Sequence, residues 1–189
     1  MKKKYWILGI AGVSTLTMVL LSLNPAQSQS DLVKQGKYLV DAVGACGQCH
    51  TPRKGAVMDM SMYLAGHPAA APYPKYDFSM MRQGIFMLTA PSLTAFSGAY
   101  GTSFAINLTP DKETGLGEWT EEMFIGAMQT GYHQGDQKNN RKILPPMPIK
   151  NAYSGISDAD LKAMWAYLKT IKAVKNEVPA PLNSRGRPF

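Results

Sequence analysis

The sequence predicts an all-α chain interrupted by one long irregular insertion that carries a short β-hairpin. Three observations predict it. Residues 31–45, 120–130 and 157–171 each repeat apolar side chains near the helical period and open on a capping residue or an acid. Residues 51–110 hold Pro52, Pro68, Pro72, Pro74, Pro91 and Pro110 among scattered glycines, which excludes long regular helices there. Nothing in the chain repeats, and no strand–helix–strand alternation is visible.

The N-terminus precedes this pattern. Lys2, Lys3 and Lys4 are followed by an apolar run, Tyr5 to Leu23, and then by Asn24-Pro25-Ala26-Gln27-Ser28. That is the layout of a secretory leader, with cleavage near Ser28. Because about 17–25 apolar residues can span a bilayer, an uncleaved anchor is the alternative. No cysteine ends the run, which argues against a lipid anchor. The expected division is a leader at 1–28 and one domain at 29–189 with an extended C-terminal tail. The formal charge of +7 falls to +4 without the three leader lysines. A surplus of this size suits acidic protein partners. It is too diffuse to point to nucleic acid. Membrane contact is expected only through an uncleaved leader or a partner complex.

The first helix is expected over Asp31 to Ala45, with Leu32, Tyr38, Leu39 and Val43 at apolar positions. Gly36 inside it costs up to about 1 kcal/mol. A close crossing with a later helix explains that cost. Directly after this helix comes Cys46-Gly47-Gln48-Cys49-His50, which holds both cysteines of the protein. Cys-x-x-Cys-His is the attachment pattern of a c-type haem. Each thiol adds across one vinyl group, and His50 follows as proximal ligand to the iron. A zinc site needs a fourth ligand, for which only His67 and His133 remain. A thioredoxin-like pair lacks its βαβ context, and a disulfide across two residues closes too small a loop to matter. One motif implies one covalently bound haem.

Within the insertion, Leu93 to Ser97 and Thr102 to Asn107 flank Gly98-Ala99-Tyr100-Gly101 and read as the hairpin. Eight of the twelve methionines lie between Met58 and Met128, where flexible thioethers suit packing against a flat ring. Thr120 caps the next helix, Glu121 and Glu122 suit its first turn, and Gly131 ends it. After a polar loop, Leu144-Pro145-Pro146-Met147-Pro148 forms a stiff extended segment that holds Met147 in a fixed place. Ser157 caps the last helix, whose stripe is Leu161, Met164, Trp165, Leu168 and Ile171. From Val178 the tail either wraps the domain or is free of it.

In this order the chain resembles class I cytochrome c over residues 31–180. It is more closely similar to the haem c domains of cytochrome subunits of bacterial dehydrogenases. Thr51-Pro52-Arg53, Leu64-Ala65-Gly66-His67-Pro68, Asn107-Leu108-Thr109-Pro110-Asp111, Thr114-Gly115-Leu116-Gly117 with Trp119-Thr120, and the Met147 segment carry that closer likeness. The resemblance implies a cytochrome c fold and His/Met iron ligation by His50 and Met147. Met80, Met81 and Met87 are the rival methionines. His67 and His133 are the alternative ligands, though each reads better as a surface or hydrogen-bonded histidine. The resemblance also implies that Gly36 and Tyr38 meet Trp165 and Leu168 where the first and last helices cross. It further implies that the Trp119 indole donates to a haem propionate; Asn107 and Arg82 are further candidates for those carboxylates. A single haem motif departs from the dehydrogenase subunits and favours a smaller carrier.

The expected function is one-electron transfer by a periplasmic monohaem cytochrome, with no bond-making chemistry of its own. Its partners are redox proteins with an acidic docking surface. They face basic flanks at Arg53, Lys54, Lys138, Arg141, Lys142 and Lys150. The alternatives are a fixed electron-transfer subunit of a dehydrogenase and, third, a haem enzyme or gas sensor in which Met147 leaves the iron.

Overall fold

A computed structural model describes residues 28–189; of the predicted leader only Ser28 lies inside the described residues. The Ser28 hydroxyl accepts from the Asp31 N–H and opens α1 (Gln29–Tyr38). The helix does not run on regularly to Ala45. It widens into a π-helical turn at Leu39–Val43, and Ala45 takes a left-handed φ of 46°. This break lets a new turn, α2 (Gly47–His50), leave in another direction with the Cys-x-x-Cys-His motif on it.

The insertion is more ordered than its prolines suggest. β1 (Arg53–Lys54) and β2 (Val57–Met58) form a small antiparallel pair. A single turn, α3 (Ser79–Arg82), precedes β3 (Met87–Thr89). β4 (Ala95–Gly98) and β5 (Gly101–Phe104) are the expected hairpin, paired from Ala95↔Phe104 to Gly98↔Gly101. β3 adds to β4, giving a three-stranded antiparallel sheet in the order β3-β4-β5.

The all-α expectation is therefore corrected. Five α-helices among the described residues share the chain with two antiparallel sheets, and two of those helices are single turns. The larger sheet forms because β4 and β5 are buried along their whole length and need every backbone group paired. The tail supplies the last partner. Leu182 and Thr102 exchange both backbone hydrogen bonds, at 2.8 and 2.9 Å, so the tail wraps the domain.

The two remaining helices follow their caps. α4 (Glu121–Thr130) starts at Thr120, whose hydroxyl accepts from Met123 N–H, and stops at Gly131 with φ 75°. α5 (Asp158–Leu168) starts at Ser157 and ends three residues short of Ile171. Lys169 then turns its ammonium onto the carbonyls of Leu116 and Gly117, at 3.2 and 2.9 Å. α1 and α5 cross at Gly36, but against Ala163 and Tyr167 rather than Trp165 and Leu168. Tyr38 stays 62% exposed, outside the crossing. Val40, Leu161, Met164 and Leu168 fill the core beside it, and Trp165 stacks on Phe124 at 5.6 Å. No helix among the described residues is long and apolar enough to cross a membrane.

Candidate functional site

α2, β5, α4 and the Met147 segment enclose a cavity of about 400 Å³. Cys46, Cys49, His50, Trp119 and Met147 all line it, brought together from 101 residues of sequence separation between Cys46 and Met147. Its walls are otherwise apolar, with Phe96, Phe104, Leu108, Leu116, Phe124, Met128 and Ile143 among them. A flat aromatic ligand suits such walls.

His50 is buried, and its Nδ1–H donates to the carbonyl of Ile106 at 2.8 Å. A carbonyl can only accept, so the proton sits on Nδ1 and Nε2 keeps its lone pair. Burial pushes the imidazolium pKa down, against the bond to Ile106, which holds the ring neutral at neutral pH. Neutral imidazole with Nε2 free is the form that binds a metal. The peptide of His50 is held as well, since its carbonyl accepts from Gly66 N–H at 2.8 Å. Neighbouring Thr51, also buried, accepts from Leu64 N–H. These bonds explain why the Leu64-Ala65-Gly66 segment sits against the motif. Cys46 and Cys49 form no disulfide; burial pushes the Cys46 thiol up to about 11 and the Cys49 thiol upward. Both stay un-ionised at neutral pH.

Met147 is positioned from both sides. The Ser103 hydroxyl donates to Pro145 O at 2.6 Å, tying the segment to β5. Beyond it Ile149 is buried in the core, and the Tyr153 hydroxyl reaches back to Gly44 O, just before the motif. The rivals Met80, Met81 and Met87 lie outside the cavity lining; Met128 on α4 is the other methionine in it.

His67 is fully buried but away from the cavity. Its Nε2–H donates to Ala71 O and its Nδ1 accepts from the Thr94 hydroxyl, so neither nitrogen is left for a metal. Among the described residues no three His, Cys, Asp or Glu side chains gather as a metal-binding group. Asn107 is not brought to the cavity either. Its amide donates to Thr114 Oγ1 and Val174 O and accepts from Thr109, which leaves no donor for a propionate. Arg82 is exposed on α3 and outside the lining.

Two polar residues of the wall, Arg141 and His133, entered the sequence reading only as a docking-rim charge and an alternative ligand. His133 meets Trp119 edge to face, with ring centroids 4.9 Å apart. The polar run from Tyr132 to Arg141 reads as exposed loop because its composition does not signal the pairing of His133 with Arg141 and of Tyr132 with Lys142 that closes it. Trp119 has no hydrogen-bond partner for its indole N–H among the described residues. The donor set fits haem c: two thiols, an imidazole with Nε2 free and a thioether on an apolar cavity, with N–H donors at its edge.

No protein-family model matches the chain. The gluconate 2-dehydrogenase cytochrome c subunit of Pantoea cypripedii is 29% identical over 175 residues, covering 89% of this chain and 31% of that protein. The fructose dehydrogenase cytochrome subunit of Gluconobacter japonicus is 26% identical over 166 residues, covering 87% of this chain and 26% of that protein. A diheme cytochrome c-type protein of Cereibacter sphaeroides is 29% identical over 143 residues, covering 75% and 36%. The chain thus spans about a third of the length of the curated relatives it matches. Over most of its own length, this chain is a relative of the cytochrome c subunits of bacterial dehydrogenases.

Proposed function

We propose that this chain carries one haem c and moves single electrons between redox proteins in the periplasm. Cys46 and Cys49 would hold the haem as thioethers, and His50 and Met147 would ligate its iron. The observation that carries this reading is the shared cavity: both thiols, the imidazole with Nε2 free and the thioether line the same apolar walls. The count of one rests on the single Cys-x-x-Cys-His motif. Export rests on the leader pattern at residues 1–28.

When bound, haem c supplies a one-electron ferric/ferrous couple, and a thioether ligand raises its potential. The chain supplies everything else. Ile106 O fixes the His50 ring, and Ser103 and Ile149 hold the Met147 segment, so the protein offers the same two ligands in both oxidation states. The apolar wall excludes water. With both His50 and Met147 bound to it, the iron would offer no open position to a substrate, which favours a carrier over an enzyme.

The names of its relatives favour a second reading, a fixed subunit of a dehydrogenase. Salt separates the two. The expected basic rim is smaller in the structure than in the sequence. Lys54 is paired with Asp59 at 2.8 Å, and Arg53 is tied to Gln48 and Ala56. Arg141 lines the cavity. Lys138, Lys142 and Lys150 remain exposed. Opposite charges steer encounter within a Debye length of about 8 Å at physiological salt. Reversing these three lysines to glutamate should slow stopped-flow electron transfer to a soluble acidic partner by about tenfold or more at low salt, and much less at high salt. Lys34→Glu on α1 should change little. Rates indifferent to both salt and the three reversals would select the fixed subunit.

A further inference from the structure

The three-stranded sheet ends in an unguarded edge. Ala90 N–H donates to Ala95 O at 2.9 Å, and β3 lies in register with β4 from there. Alternation along an antiparallel ladder turns the N–H and C=O of Leu88 inward to Ser97 and those of Met87 and Thr89 outward. Among the described residues no backbone group pairs with that outer side. Natural sheets blunt such an edge with lysine, proline or a bulge. Residues 83–90 contain no charge and no proline. The flank is apolar instead. Phe86 is 70% and Met87 42% exposed, and Phe78, Met81 and Ile85 are exposed beside them. Ile85 N–H donates to Met80 O at 3.0 Å, which holds α3 against the start of β3. With roughly 150–250 Å² for a whole aromatic side chain, these five residues leave on the order of 500 Å² of apolar surface open. That is as large as the largest patch on an ordinary monomer.

We infer that β3 is the docking edge for a second copy of this chain, paired antiparallel across a two-fold axis at Leu88 so that two three-stranded sheets join into one of six strands. In that register Met87 of one copy meets Thr89 of the other, and each such pair exchanges two hydrogen bonds. All four outward N–H groups of the two copies are then satisfied. A two-fold axis lets the same edge serve both copies. Three observations select this occupant. The free groups are backbone N–H and C=O, which another strand edge satisfies and a lipid surface does not. Arg82 is the only charge between Phe78 and Pro91, so like copies meet there with little repulsion. Two patches together close on the order of 1,000 Å², the lower bound of a specific interface, which makes the dimer weak and reversible. The inference does not depend on the haem c reading, since Met81 and Met87 lie outside the cavity lining.

Sedimentation velocity of the processed protein as purified tests it. Monomer should give way to dimer as the concentration rises from about 1 μM to about 1 mM, the range of a weak interface. Met87→Lys puts an ammonium on the pairing edge and should raise the dimer dissociation constant more than tenfold. Thr89→Pro removes one outward N–H and leaves the inner ladder intact, and it should do the same. Val57→Lys makes the first change at an exposed apolar residue of β2 and should stay within about twofold of wild type. A monomer throughout overturns the inference, and so does a dimer that ignores both edge variants. A second measurement needs no variant. The wild-type amides of Met87 and Thr89 should exchange with solvent several-fold more slowly at the dimer concentration than at the monomer concentration. Equal exchange overturns the inference. A monomer that floats with phosphatidylcholine vesicles, or whose electron transfer slows in Met87→Lys, overturns it too and gives the patch to a membrane or to a redox partner.

Discussion

Met147→Ala should abolish the weak red-edge absorption of ferric iron bound to a thioether and let the ferrous protein bind carbon monoxide. The potential should fall as well, because the sulfur ligand that favours ferrous iron is gone. A fall in the ferrous/ferric ratio of more than tenfold at fixed ambient potential, over about 59 mV, is expected. The effect is large because the segment that presents Met147 is held on both sides of it. Prolines on both sides stiffen the segment and lower the entropy of its unbound state. Ser103 anchors it at Pro145, and Ile149 is sunk in the core. The segment is therefore built to present residue 147 and cannot slide a neighbour into position. Met128 is the informative control, since it also lines the cavity. Met128→Leu should keep the red-edge band. If the band survives in Met147→Ala and vanishes in Met128→Leu, the ligand lies on α4 and the role assigned to the proline-framed segment is mistaken.

Gly36→Ala should be among the most destabilising single-methyl additions in the molecule. A β-carbon at Gly36 meets Ala163 O at 1.8 Å, Ala163 C at 2.5 Å and Tyr167 Cβ at 2.9 Å. Two of these are backbone atoms of α5 and cannot swing aside, so the helices must part. Alanine gains up to about 1 kcal/mol of helix propensity over glycine. Overpacking costs about 1–3 kcal/mol and more where backbone must move. The clash wins, because parting α1 from α5 also loosens Val40, Leu161 and Leu168. For a chain of this size each kcal/mol lowers the melting midpoint by about 2–4 °C. A drop of several degrees is expected in thermal unfolding, whereas Gly155→Ala, with nothing within 4 Å, should leave the midpoint nearly unchanged. Equal midpoints for Gly36→Ala and wild type would remove the crossing from the account.

What the sequence made legible was local. The caps at Thr120 and Ser157, the stop at Gly131, the β4–β5 hairpin and the motif on α2 each depend on a few adjacent residues. His50 and Met147, which both line the cavity, could be singled out because a Cys-x-x-Cys-His run and a proline-framed methionine each carry their own signature. What was misread depends on pairing beyond adjacent residues. β3 pairs only because β4 is buried, and the tail reaches β5 from about 80 residues away. Asn107 looked available for a propionate, yet Val174 and Thr114 occupy its amide. Arg141 looked like an exposed loop charge, yet it lines the cavity where His133 pairs with it. At the α1–α5 crossing the sequence identified the glycine, but the resemblance named Trp165 and Leu168 where Ala163 and Tyr167 are the nearest neighbours of Gly36.

Cys46 and Cys49 are proposed to carry one haem. Denaturing mass spectrometry of the chain, exported by a host that attaches c-type haem, tests it most directly. The predicted result is a single species at the mass of the processed chain plus one haem, with no thiol open to alkylation. Replacing both cysteines with alanine should return the unmodified mass. A native chain recovered with both thiols free, or loaded with zinc in place of haem, would contradict the account.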